Sequence, residues 1–135
     1  MASAVRKLDE RISEAEYFAL EKKTDTRHEF VDGYVYAMVG GSFNHGTLTG
    51  TIAREIGNHL KCKPCRVFSE SIKVKVANQQ RGESRYFYPD VLVDCADYAG
   101  DDQFTETPTL IVEVLSKSTR RMDETTKRSS YSQID

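Results

Sequence analysis

Thr109-Leu110-Ile111-Val112-Glu113-Val114-Leu115-Ser116 is the stretch on which the fold turns, because its six inner positions are all apolar except Glu113. A near-continuous apolar run of this length predicts a central strand covered on both faces. A carboxylate inside it costs several kcal/mol unless it is paired, protonated or bound to a cation. An edge strand with one wet face would explain Glu113 without any function, but Ile111 shares that face and is apolar.

Working upstream, Arg85 to Val93 predicts a second strand, in which Tyr86-Phe87-Tyr88-Pro89-Asp90-Val91-Leu92-Val93 again holds one acid among aromatic and β-branched residues. If the two strands pair, Asp90 and Glu113 converge. Two carboxylates and a strand carbonyl make a hard-oxygen site suited to Mg²⁺ or Mn²⁺. Pro89 removes a backbone donor, which fits a bulge or a sheet edge.

Further out, Ser13 and Glu16 form a capping box for a short helix to about Lys23, with Ile12 stapled onto Tyr17. Asp32-Gly33, between two β-forming runs in Arg27 to Val39, is a two-residue hairpin signal. Leu48, Ile52, Ile56 and Leu60 recur every four residues and predict a helix with one apolar stripe. From Arg66 to Val76 a strand is predicted, with Lys73 and Lys75 on its wet face, and Asn78 to Ser84 is its loop. A helix over Thr119 to Ile134 has Met122, Tyr131 and Ile134 as its buried side.

The chain has 135 residues, 39% hydrophobic and 30% charged, which is the size and composition of one globular domain over 13–135 after a tail at 1–12. No apolar run approaches the roughly 20 residues that cross a bilayer, so no membrane role is expected and the setting is read as cytoplasmic. Nineteen basic against 21 acidic residues give a charge of −2, so any nucleic-acid contact must be local; Lys117, Arg120, Arg121, Lys127 and Arg128 form one basic stretch. Cys62, Cys65 and Cys95 are read as reduced thiols. Cys62-Lys63-Pro64-Cys65 follows a helix C-terminus, the wrong end for a lowered thiol pKa, and no second pair completes a zinc site. His45, at a helix start, is accounted for by a hydrogen bond to a backbone group.

These motifs, in order, resemble a known family. Arg27-His28-Glu29-Phe30-Val31-Asp32-Gly33, Ser42-Phe43-Asn44-His45, Tyr88-Pro89-Asp90-Val91, Pro108 to Ser116, then Lys127 and Tyr131 are similar to the Uma-type restriction endonuclease family of the PD-(D/E)XK nuclease superfamily. The resemblance runs from about Ser13 to the C-terminus. It implies an α/β, restriction-endonuclease-like core, a mixed β-sheet flanked by helices, and a DNA endonuclease. It also implies Mg²⁺ (or Mn²⁺) on Asp90, Glu113 and the backbone carbonyl of Val114.

The superfamily's lysine would stand two residues after the glutamate, where this chain has Leu115. Lys127 is the expected replacement and Lys117 the runner-up; Lys127→Met is expected to keep the fold and lose activity. Glu29 is an auxiliary candidate near the metal. Relatives continue past the position of Asp135, usually with a Trp that this chain lacks, which implies a core short of its C-terminal strands and a homodimer through an open strand edge. The competing reading is a catalytically degenerate nucleic-acid-binding or structural module of the same fold.

Overall fold

Ser13 accepts from the Glu16 amide at 3.1 Å while the Glu16 carboxylate takes the Ser13 amide at 2.7 Å, so the predicted capping box opens helix α1, Glu14–Lys23. The molecule is described here as a computed structural model covering residues 6–7, 10–38, 40–78, 82–117 and 120–134. Val39 and Thr119, at the ends of two predicted elements, lie outside the described residues.

Strands β1 (Arg6–Lys7), β2 (His28–Val31) and β3 (Tyr34–Ala37) precede helix α2 (Phe43–His59). They are followed by β4 (Arg66–Phe68), β5 (Lys73–Asn78), β6 (Glu83–Phe87), β7 (Val91–Asp94), β8 (Phe104–Thr105) and β9 (Leu110–Val112). The chain then forms α3 (Arg120–Met122), a π-helical turn (Asp123–Lys127) and α4 (Arg128–Tyr131). A six-stranded mixed sheet has the order β1-β3-β2-β6-β5-β8, with only β5 and β8 parallel, and a three-stranded antiparallel sheet has the order β4-β7-β9. The architecture is α/β with a mixed sheet and flanking helices, as the sequence predicts.

Alternation divides the core. Phe30, Val35 and Tyr86 point to the face that α1 covers with Tyr17, and Ile12 packs there as the predicted staple. Val31, Val74, Val76 and Phe87 point to the other face, where they meet Leu92, Ile111, Tyr131 and Ile134.

The hairpin turn is where the sequence was most explicit: Asp32 and Gly33 have φ of 54° and 86°, the left-handed pair of a tight two-residue loop. A Cβ on Gly33 would also lie 2.8 Å from Arg11 Nε, which donates to the Asp32 carbonyl. Gly33→Ala should therefore cost about 1–2 kcal/mol in a denaturant titration, and an unchanged midpoint would mean that the turn is built differently.

Four predictions need correction. First, each of the two long predicted strands is two strands in different sheets: Arg66–Val76 breaks at 69–72 and Arg85–Val93 breaks at 88–90, where Pro89 cannot carry a ladder hydrogen bond. The Asn78–Ser84 loop is correspondingly shorter, since Ala77 pairs with Ser84 and Asn78 with Glu83.

Second, β9 is an edge strand and stops at Val112. Leu110 is 46% exposed, and Ile111 and Val112 are half-buried. Third, the face expected to be wet at Lys73 is covered: the ammonium lies 5.4–5.6 Å from the ring centres of Tyr17, Phe18 and Tyr88 and 3.8 Å from Glu21 Oε1. Burial lowers the pKa of Lys73 against the pull of Glu21.

Fourth, two of the thiols are not reduced: Cys65 and Cys95 form a disulfide, while Cys62 is free and exposed. Arg66 pairs with Asp94, so Cys65 and Cys95 are the next pair along the β4–β7 ladder, a proximity that their separation of 30 residues hides in the sequence. Reducing the bond should lower the unfolding free energy by about 2–4 kcal/mol, read as a dithiothreitol-dependent drop in Tm that Cys65→Ser abolishes.

Candidate metal centre at the junction of the two sheets

The chain passes from one sheet to the other at 69–72 and again at 88–90, and each passage presents an acid, Glu70 and Asp90. Glu70 has a φ of 61°, a conformation that a non-glycine residue holds only under constraint. Helix α2 supplies the third group. Ser42 caps it by accepting from the His45 amide at 3.1 Å, and this sets the imidazole pointing inward.

His45 Nε2 lies 3.1 Å from the Val114 carbonyl oxygen and 3.5 Å from Asp90 Oδ2. One ligand atom each from His45, Glu70 and Asp90 lie within 4.8 Å of one another. One imidazole, two carboxylates and a backbone carbonyl are donors suited to a divalent cation.

The convergence of Asp90 and Glu113 follows from register. Val91 pairs with Val112, so Asp90 and Glu113 face each other one step past the end of the ladder. There Asp90 Oδ2 takes the Val114 amide at 2.7 Å, replacing the lost backbone partner and holding the Val114 peptide in place.

Glu113 also joins a buried acid–base cluster beside the triad. Its Oε1 accepts from Tyr131 Oη at 2.8 Å and from Lys127 Nζ at 3.2 Å. Lys127 Nζ also lies 3.0 Å from Glu29 Oε2 and 3.5 Å from Asp123 Oδ1. Lys127 is fully buried, and the π-helical turn that carries it puts Asp123 and Lys127 on the same inward side. Such turns are rare, and they reshape a helix locally to aim side chains.

The Lys127 ammonium faces Glu29, Glu113 and Asp123, with Asp90 close by. Burial raises the pKa of Glu113 to about 8, with Lys127 pulling it down and Glu29 and Asp90 pushing it up. Burial raises Glu29 as well, and its Oε1 is buried with no hydrogen-bond partner among the described residues. Desolvation would lower Lys127, but Glu29, Glu113 and Asp123 outweigh it and keep the ammonium protonated. A cation at the neighbouring triad would favour the ionised forms of these carboxylates.

Of the residues singled out from sequence, Asp90, Glu113, Val114, Lys127 and Glu29 come together here. Lys117 lies exposed just past Ser116. Glu70 was missed because Ser69-Glu70-Ser71 fell inside the strand predicted over Arg66 to Val76. His45 does contact a backbone carbonyl, as expected of it, but that carbonyl belongs to Val114 and Asp90 is its other neighbour. The only sequence signal was its place in Ser42-Phe43-Asn44-His45.

The chain is 36% identical over 114 residues to the uncharacterized protein slr1290 of Synechocystis sp., covering 84% of this chain and 58% of that protein. It is 29% identical over 126 residues to the uncharacterized protein sll1609 of the same organism, covering 91% of this chain and 69% of that protein. No solved structure matches at a significant level. The model of one family matches residues 14–135, which takes in both sheet crossings, the triad and the buried lysine, and the chain belongs to that family, Uma2, described as "Putative restriction endonuclease".

Proposed function

We propose that this chain hydrolyses phosphodiester bonds in DNA with a divalent cation, Mg²⁺ or Mn²⁺, held by His45, Glu70, Asp90 and the Val114 carbonyl. The observation that carries the reading is the meeting of the triad's ligand atoms within 4.8 Å, beside the Glu113–Lys127 pair. A cation bound there supplies acidity to a coordinated water and neutralises charge on the phosphate.

The chain's own groups do the rest. Asp90 fixes the Val114 peptide through its amide, so that carbonyl and carboxylate face the same space. Glu113, whose proton affinity burial has moved near neutral, takes the proton of the attacking water. Lys127 keeps Glu113 oriented and places a positive charge where negative charge grows. Tyr131 holds the same carboxylate oxygen from the other side. An imidazole in the donor set favours Mn²⁺ over Mg²⁺, since Mg²⁺ takes oxygen ligands almost alone.

The test is conversion of supercoiled plasmid DNA to nicked or linear forms with Mn²⁺, Mg²⁺ or EDTA, using wild type and Asp90→Asn. Cleavage that needs Mn²⁺ and is lost in Asp90→Asn supports the reading; cleavage that survives EDTA sinks it. One observation favours a second reading, a binding module without hydrolysis: the Lys127 ammonium is already engaged by three carboxylates at 3.0–3.5 Å. Metal and DNA binding without cleavage under any cation would select it.

A further inference from the structure

Tyr88 makes two hydrogen bonds, one with its amide and one with its hydroxyl, and the proposed hydrolysis uses neither directly. The amide donates to Glu29 Oε2 at 2.8 Å, the oxygen that Lys127 Nζ approaches to 3.0 Å. The hydroxyl donates to Glu21 Oε1 at 2.9 Å, in the last turn of α1. Glu21 is itself held by His28, whose amide donates to Oε1 at 3.3 Å and whose Nδ1 lies 3.1 Å from Oε2. The Tyr88 side chain is buried, with the Lys73 ammonium 5.5 Å from its ring centre.

The residue stands where neither sheet supplies support. β6 ends at Phe87 and β7 begins at Val91, so no ladder spans 88–90, and Pro89 has no amide to donate. Pro89 also stiffens the step, because its ring locks its own φ and restricts the backbone of the residue before it. Asp90 lies two residues on, a reach of roughly 7 Å at most, so a displacement of Tyr88 passes to Asp90 instead of being absorbed by rotation between them. Asp90 has little slack to give: its Oδ2 takes the Val114 amide at 2.7 Å and lies 3.5 Å from His45 Nε2.

We infer that Tyr88 is a positioning residue of the candidate metal centre: its hydroxyl, anchored on Glu21, sets where the 88–90 crossing lies and so where the Asp90 carboxylate stands. The inference rests on the metal reading for its effect on the cation, but not for the placing of Asp90. The other hydroxyl on Glu21 does not share the role. Tyr17 donates to the same Oε1 at 3.3 Å and lies 2.6 Å from the His28 carbonyl, but it belongs to α1 and has no short, stiff path along the chain to Asp90.

Removing only the hydroxyl tests this. Tyr88→Phe leaves Glu21 Oε1 with Tyr17, the His28 amide and Lys73 at 3.8 Å, so the fold should survive. Tyr17→Phe is the control, since it takes a hydroxyl from the same carboxylate. Amide hydrogen exchange in the metal-free whole chain, followed by NMR, reads the Asp90–Val114 bond. The Val114 amide should exchange roughly 2- to 10-fold faster in Tyr88→Phe, the net worth of one hydrogen bond expressed as a ratio, and at the wild-type rate in Tyr17→Phe after correction for global stability. Mn²⁺ affinity, measured by calorimetric titration, should fall about 10-fold in Tyr88→Phe, the low end of what loss of a group supporting a ligand costs, and should be unchanged in Tyr17→Phe.

Val114 exchange that is unchanged in Tyr88→Phe overturns the inference. So does equal acceleration in the two variants, which would mark a general loss of packing, or a Tyr88→Phe protein that binds Mn²⁺ as tightly as wild type. A wild type that binds no Mn²⁺ sinks the metal reading, and faster Val114 exchange confined to Tyr88→Phe then leaves the placing of Asp90 by Tyr88 standing.

Discussion

Replacing Lys127 with Met is expected to destabilise the metal-free protein by about 3–5 kcal/mol, the cost typical of removing one partner from a buried ion pair. The sequence alone predicted an intact fold, on the ground that Met preserves the lysine stem. The structure reverses that expectation. The ammonium is fully buried and lies 3.0, 3.2 and 3.5 Å from Glu29, Glu113 and Asp123, so Met removes the cation that these three carboxylates share.

The sign of the pH dependence follows. Glu29 and Glu113 bind protons more tightly in the fold than in the unfolded chain, so their contribution to stability is complete below the ordinary carboxylate range. It is lost as pH rises through the folded value, about 8 for Glu113, and without Lys127 the loss runs on to higher pH. Thermal melts of Lys127→Met should therefore show a deficit that widens as pH rises above about 8, where wild type levels off and the variant continues to lose stability. Glu29→Gln added to Lys127→Met should recover part of it. A variant that melts like wild type at pH 8 would mean that the ammonium is not paired as described. Activity should fall roughly 10²- to 10³-fold at a pH where the variant is still folded, by analogy with loss of one transition-state donor.

The second large effect concerns cation binding. Wild type at a Mn²⁺ concentration about 100 times its Kd should gain about 2.7 kcal/mol of stability, and more Mn²⁺ should raise Tm further. Asp90→Asn and His45→Ala should abolish that gain, because each removes a donor from the three side chains that converge among the described residues. Glu70→Gln should weaken it. Glu113→Gln should leave most of it, since the Glu113 oxygen faces Lys127 and Tyr131. The measurement is a thermal shift titration with Mn²⁺ and Mg²⁺. If Glu113→Gln abolishes the gain and Glu70→Gln leaves it whole, the ion sits between Asp90 and Glu113, where the sequence put it.

Local rules made several elements legible in the sequence. A capping box needs only Ser13 and Glu16, a tight turn only Asp32 and Gly33, and a buried carboxylate announces itself by apolar neighbours. So the α/β class, the first hairpin and the pairing of Asp90 with Glu113 could be read without coordinates. Periodicity could not show where a strand changes sheets, because Arg66–Val76 and Arg85–Val93 keep a β pattern through the crossings. That is why Glu70 went unseen and Asp90 was taken as a mid-strand residue. Whether a carboxylate ligates a metal or pairs with an ammonium depends on which of two oxygens faces which partner a few ångströms away. Only tertiary packing decides that, and it turned Glu113 toward Lys127, brought His45 from another helix to Asp90 and joined Cys65 to Cys95 across 30 residues of chain.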